Sequence, residues 1–473
     1  MADARDFSNK LPPEMRRMIC GLLSKHDLTN VRLVDKQWSA AAATVLWAQV
    51  SVDLVETATR KFDALLSHDV LSNIRDITIT TESENLSARS VQSATWNLLG
   101  LLMALPRDSL QSFRSVKFKV GYHVLSAMFR AHSRINTLAV YVDESKAPGD
   151  FSSGLPSASR IQNSLSNLHC VIIHASGESS YKELSTWFPY ATALDRVEIQ
   201  GDSSGSGTHF TGWQPLHAGA PLFKLCHLHL LYLQFSESAG GIVGALHFPS
   251  LRRLVLGNCS TVAPLLSALA QGLRTSGSFS LAQIGIFCTE ASESDVEALE
   301  KVFASLESLE VVAYSTMKGR LPSLNTLQGN ADSLRNLFVD SSGFDQIYSM
   351  RDFEQLSAKL TSLKKLSLSV GDLNPMIDDL DVLEPFDLRN DEDYMKKLVA
   401  EQILGHMAVS GSKVQLLSFR PSLKVESGVE HEDEDDNGHV WPRYMYRRGD
   451  VVTHARGIAQ VVKTVAVPAT FEA

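Results

Sequence analysis

A chain of 473 residues with 44% hydrophobic content is long enough for two or three conventional domains or one extended repeat array, and it excludes disorder of the whole. Its 53 acidic against 44 basic side chains give a formal net charge of −9 without a basic block, which argues against general affinity for nucleic acid or an anionic membrane. Cys20, Cys170, Cys226, Cys259 and Cys288 are scattered and form no C-x-x-C pair, so they read as reduced and mostly buried. The first residues lack an apolar leader, and no apolar run approaches the ~20 residues that span a bilayer. The expected location is the cytoplasm, the nucleus or both.

Residues 11–47 carry three short helical patterns. In the first, Pro12 and Pro13 suit an opening turn, Glu14 favours the positive helix end, and Met15, Met18, Ile19, Leu22 and Leu23 repeat at helical spacing. In the second, Asp27 is the expected cap of a turn bearing Leu28, Val31 and Val34. The third, Lys36 to Leu46, is rich in alanine and is expected to turn Trp38, Ala42, Val45 and Leu46 inward. Three such helices make a small core with apolar surface left over, and that favours a partner.

The order Leu11-Pro12-Pro13-Glu14, Ile19, Asp27-Leu28, Arg32-Leu33-Val34-Asp35-Lys36-Gln37-Trp38 and Leu46-Trp47 resembles the F-box signature. Asp35 departs from it, since family members often carry Cys or Ser there. In that family the module docks onto a Skp-type adaptor and through it joins a cullin-RING ubiquitin ligase. The resemblance therefore implies that Leu11, Pro12, Met15, Ile19, Leu28, Val31 and Val34 contribute to the adaptor contact.

From residue 74 onward an L-x-x-L-x-L pattern recurs. Its copies are Ile74-Ile77-Ile79, Phe113-Val116-Phe118, Ile135-Leu138-Val140, Leu168-Val171-Ile173, Leu194-Val197-Ile199, Leu225-Leu228-Leu230, Leu251-Leu254-Leu256, Leu281-Ile284-Ile286, Leu306-Leu309-Val311, Leu334-Leu337-Val339 and Leu363-Leu366-Leu368. A twelfth stands at Val414-Leu417-Phe419. Spacings of 22 to 39 residues lie near the roughly 20–29 of leucine-rich repeats, with some lengthening. Each copy predicts a short strand, followed in places by a helical segment such as VAPLLSALAQGL or SDVEALEKVFASL. The expected fold class is α/β, a three-helix F-box followed by an irregular leucine-rich-repeat solenoid of about eleven to twelve repeats, with Asn258 as the one clear candidate for an asparagine ladder.

Alternation along the strands makes the face opposite the core readable. It is expected to show Lys117, Lys119, Tyr141, Arg196, Glu198, His227, His229, Arg253, Phe287, Glu310, Phe338 and Lys365, with Tyr141, Arg196, Arg253, Phe287 and Phe338 as anchors for a target protein. The domains read as an F-box at 7–50, a linker or first cap at 51–73, repeats at 74–425 with an acidic insertion at 374–393, and an acidic linker with a terminal helix at 426–473. Within these, Met395, Val399, Ile403 and Met407 share a helical face, and Asp450 to Val465 is expected to be helical.

Gly201-Asp202-Ser203-Ser204-Gly205 has the form of a nucleophile elbow, but Gly, Ser and Pro follow where a helix must start. His227 and His229 share a strand face without a third ligand at metal-site spacing. No cofactor and no catalytic residue is expected. The reading is a substrate-recognition subunit of a Skp–cullin–F-box ligase. The alternative is a non-catalytic scaffold without a degradation role.

Overall fold

The computed structural model describes residues 11–55, 68–83, 85–143, 163–175, 190–202, 208–210, 224–235, 246–276, 280–341, 359–370, 411–421, 444–453 and 460–467, with 348, 356 and short pieces between 400 and 408. The protein is mixed α/β, with largely parallel sheet that is not closed into a barrel. Its described residues fall into two compact units, one running to Thr208 and taking in Lys224 and Leu225, the other holding His209, Phe210 and the residues from Cys226 onward.

The first unit begins with three helices, α1 (Pro13–Cys20), α2 (Lys25–Val31) and α3 (Lys36–Leu46). Pro13 takes the first position of α1, where a missing N–H costs nothing. Ser24, not Asp27, caps α2: its oxygen accepts the Asp27 N–H at 3.2 Å, and its hydroxyl donates to the Asp27 carboxylate at 2.7 Å. Asp35, the departure from the F-box pattern, caps α3 by accepting the N–H groups of Gln37 and Trp38. Cys20, Leu28, Trp38, Ala41 and Ala42 form the buried centre, with Leu11, Leu23, Val31, Val45 and Leu46 packed against it.

Six parallel strands follow in chain order, β1 (Gln49–Val52), β2 (Asp76–Ile79), β3 (Ser112–Val120), β4 (Thr137–Val142), β5 (Cys170–Ala175) and β6 (Arg196–Gln200). Sheet thus starts at residue 49, inside the span read as F-box, and continues into the 51–73 linker. Two helices, α4 (Ala88–Ala104) and α5 (Tyr122–Ala131), pack on each other behind it. Beyond β7 (Thr208–Phe210), the second unit holds β8 (His227–Leu231), β10 (Arg253–Gly257), β11 (Gln283–Ala291), β12 (Val311–Gly319), β13 (Asn336–Ser341), β14 (Lys365–Val370) and β15 (Leu416–Pro421), again parallel neighbours in order. The short strand β9 (Leu233–Phe235) stands outside that sheet. Helices α6 (Ala263–Ser276) and α7 (Glu293–Ala304) cover the two segments whose periodicity predicted them.

All twelve pattern copies fall on these strands, but two sit in a different register. Ile77 pairs with Phe113 and Phe113 with Leu138, so Phe113 takes the fourth position of its repeat and Leu110 the first. Leu110 is fully buried, whereas Val116 is exposed. Ser115 then occupies the sixth position, its buried hydroxyl satisfied by the Phe118 carbonyl at 2.8 Å, and the register shifts between Ser115 and Lys119. In the same way Ile284 pairs with Val312, so the ninth copy is Leu309-Val312-Tyr314 rather than Leu306-Leu309-Val311. Glu310 accordingly takes the second position, at the edge just ahead of the strand, rather than the fifth position expected of it.

The register is read independently from hydrogen bonds ahead of each strand. The Ala48 carbonyl accepts the N–H groups of Arg75 and Asp76 at 2.9 and 2.8 Å, the Arg75 carbonyl those of Gln111 and Ser112, and the device occurs eleven times among the described residues, through Lys364 with Gln415 and Leu416. Stacked repeats thereby satisfy backbone groups that would otherwise be buried without partners.

Two further expectations change. Asn258 is exposed with φ 48, a left-handed conformation that asparagine tolerates; the next residue, Cys259, is the buried one and its thiol donates to the Leu230 carbonyl of the previous repeat at 3.2 Å. The C-terminal helix expected near Asp450 to Val465 is instead a pair of antiparallel strands, β16 (Tyr444–Thr453) and β17 (Gln460–Val467), with β16 antiparallel to β15. Val451, Val452, Val461, Val462, Val465 and Val467 explain it, since branching at Cβ suits an extended chain. Ile403 and Met407 are buried as the helical face requires, while Met395, Val399, the insertion at 374–393 and the acidic block at 430–436 lie outside the described residues.

Candidate protein-interaction surfaces

The helical module turns most of its first apolar stripe away from its own core. Arg16, Cys20 and Leu23, spaced i, i+4 and i+7, face α3, so Met15, Met18, Ile19 and Leu22 point outward. Met18 is 72% and Leu22 87% exposed, and in the turn before α3 Leu33 and Val34 are 84% and 64% exposed. Six of the thirteen exposed large apolar side chains among the described residues lie between 15 and 34. That concentration marks an interaction surface.

Of the residues expected to contact an adaptor, Pro12, Met15, Ile19 and Val34 are exposed and Leu11 is half-buried. Leu28 is a correction: at 3% exposure it belongs to the core of the three helices and has no surface to offer. Val31 packs against the same core. Sequence reasoning missed Met18, Leu22 and Leu33 as exposed groups, because a helical stripe shows which residues share a face but not whether that face meets the core.

The second kind of surface is the open face of each sheet. In the first unit, register places Lys119, Tyr141, His174 and Gln200 side by side on β3 to β6. The Lys119 ammonium stands 4.9 Å from the centre of the Tyr141 ring, and the His174 ring lies 6.4 Å from it at 51°. Burial holds the His174 pKa below the usual histidine range, and the neighbouring Glu198 offsets part of that effect. Arg196 reaches Glu198 at 3.3 Å and adjoins Cys170. Lys117 lies within the irregular stretch of β3 and pairs with Glu82.

On the second unit, His227, Arg253, Gln283, Val311, Asn336 and Lys365 form one row, and His229, Val255, Gly285, Ala313 and Phe338 form the next. A third row holds Leu231, Gly257, Phe287, Ser315 and Asp340. A Cβ at Gly285 would lie 3.2 Å from the Phe287 ring and 3.6 Å from Val255, so the ring reclines over a strand position without a side chain. A Cβ at Gly257 would meet Leu231 at 2.5 Å. These glycines make room for the exposed Phe287 and the half-buried Leu231 to lie against the sheet.

The five expected target anchors divide between the units, Tyr141 and Arg196 on the first and Arg253, Phe287 and Phe338 on the second. Phe287 is exposed and the others are half-buried. Of the elbow motif, Gly201 and Asp202 follow β6, and Ser203 to Gly205 lie outside the described residues. Cys259 and Cys288 are buried thiols behind the sheet, Cys259 pushed up to about 12 by desolvation, far from the range of a reactive thiolate.

The chain matches no protein-family model, and no curated protein is similar to it.

Proposed function

We propose that the protein is the target-recognition subunit of a Skp–cullin–F-box ubiquitin ligase, with the helices of residues 11–47 docking on the adaptor and a leucine-rich-repeat array holding the target. The observation that carries the reading is the outward face of α1: a three-helix module whose core is complete without Met15, Met18, Ile19 and Leu22 exposes all four. Burying a large apolar side chain contributes about 1.5–3 kcal/mol, so a protein surface covering this face gains from each of them. The repeated strands, each offering its open-face residues in register with the next, support the second half of the reading.

Co-purification of the full chain with a Skp-type adaptor tests it. Met18→Ser with Leu22→Ser is expected to abolish capture while leaving the helices folded by circular dichroism, since neither side chain belongs to the core. Adaptor binding by a chain lacking residues 1–47, or unchanged binding by the double variant, would refute the docking assignment. If the adaptor binds but no protein is ubiquitinated in a manner dependent on the chain, the scaffold reading replaces the ligase reading.

A further inference from the structure

On the second unit, the residues that open strands β10 to β14 carry a concentrated positive charge. The paired second and third repeat positions are Arg252 and Arg253, Ala282 and Gln283, Glu310 and Val311, Arg335 and Asn336, and Lys364 and Lys365. Five of these ten are cations and one is an anion, in a chain whose net charge is −9. Arg252, Arg253, Arg335 and Lys364 make no ion pair or side-chain hydrogen bond among the described residues, whereas Lys117, Arg196 and Arg320 each hold a carboxylate. Arg252, Arg335 and Lys364 are exposed.

Next to this edge lies the apolar strip of Val255, Gly285, Ala313 and Phe338, with Phe287 reclining over Gly285. Along a strand the third position lies about 7 Å and the second about 10 Å from the fifth, and five neighbouring strands span about 19 Å. An extended segment of about six residues running across the strands covers that width.

We propose that this face binds a linear acidic segment of a partner protein, an aromatic or large aliphatic side chain packing on Phe287, Val255 and Phe338 while aspartate or glutamate within two residues of it meets Arg252, Arg253, Arg335 and Lys364. The proposal rests on the reading of the repeat array as a target receptor and names the chemistry of the target. Charge complementarity selects the partner: among the described residues Arg252, Arg253, Arg335 and Lys364 hold no carboxylate, and they outnumber Glu310 at an edge that borders an apolar floor. Contacts of this kind weaken as salt screens them.

The test is selection of a phage-displayed random dodecapeptide library on the full chain. Enriched peptides are expected to place Phe, Trp, Leu or Ile within two residues of at least two acidic residues. A synthetic peptide of the enriched sequence should lose about tenfold or more in affinity with Phe287→Ala, as for an interface anchor. It should lose as much with Arg252→Glu and Arg335→Glu combined, two exposed positions whose exchange leaves the core untouched. Enrichment without acidic bias, no enrichment, preference for RNA or self-association through this face, or affinity indifferent to the charge reversal would each overturn the proposal. Adaptor capture by the same variants is measured in parallel: its loss with peptide binding intact counts against the docking assignment alone, and its retention without acidic-apolar peptides counts against this inference alone.

Discussion

The Asp35 carboxylate accepts the backbone N–H of Trp38 at 2.8 Å, so the residue that departs from the F-box pattern fastens the start of the helix that fills the module's core. The same oxygen accepts the Gln37 N–H at 2.7 Å. Asp35→Ala should cost about 1 kcal/mol and Asp35→Ser much less, because serine also caps helices. Urea unfolding of the module followed by Trp38 fluorescence measures both. Equal losses would show that the cap is not what holds α3.

The register of β3 yields a sharp contrast between two apolar residues. Leu110→Ala removes a fully buried side chain and should cost about 2–5 kcal/mol, whereas Val116→Ala at an exposed position should stay within about 0.5 kcal/mol. Thermal unfolding of the two variants distinguishes this register from one in which Phe113, Val116 and Phe118 point inward together.

Asp295 ties two helices. Its carboxylate accepts the Ala263 N–H of α6 at 2.7 Å and completes the capping box of α7 through the Ser292 N–H and hydroxyl at 3.2 and 2.6 Å. Asp295→Ala should therefore cost more than a single cap, about 2 kcal/mol or more, and speed amide exchange at the starts of both helices. Exchange that rises only in α7 would show that the contact to Ala263 contributes nothing.

His132 gives the stability of the first unit a pH dependence. The ring is fully buried, Nε2 lies 3.2 Å from the Leu102 carbonyl, and burial holds its pKa below the ordinary histidine value despite partial offsets from that carbonyl and from Asp108. The folded state thus favours neutral histidine. Its stability is intact above the unfolded pKa of about 6.5 and is lost as pH falls from there through the lower folded value. Melting temperature should fall between pH 7.5 and pH 5.5, and His132→Gln should flatten that slope while lowering stability at pH 7.5. An unchanged slope would assign the acid sensitivity to other groups.

What the sequence by itself determined were the features that local chemistry settles. The three N-terminal helices were legible from Pro12 and Pro13 and from helical spacing of apolar residues, although the caps Ser24 and Asp35 were not, and a strand near every pattern copy followed from its recurring apolar residues. The segments that became α6 and α7 were legible for the same reason. The residues of the candidate surfaces were legible only in part: alternation along a strand placed Phe287, Phe338 and Arg253 on the open face, while the cations at Arg252, Arg335 and Lys364 gain their meaning only when strands far apart in sequence lie side by side.

Only tertiary structure decided which of two apolar patterns in LQSFRSVKF meets the core. Leu110 and Phe113 compete locally with Val116 and Phe118, and the buried Ser115 makes the correct frame look polar; hydrogen bonds from β3 to β2 and β4 choose between them. Tertiary contacts likewise turned the stripe of α1 outward, since packing Cys20 and Leu23 against α3 fixes the rotation of the helix whatever its other faces carry. At the C-terminus, the segment read as a helix became strands: β16 pairs with the edge of β15 and β17 with β16, contacts that favour the extended chain to which valine branching is suited. In each case the deciding energy belongs to a neighbour remote in sequence, and a local pattern contains no term for it.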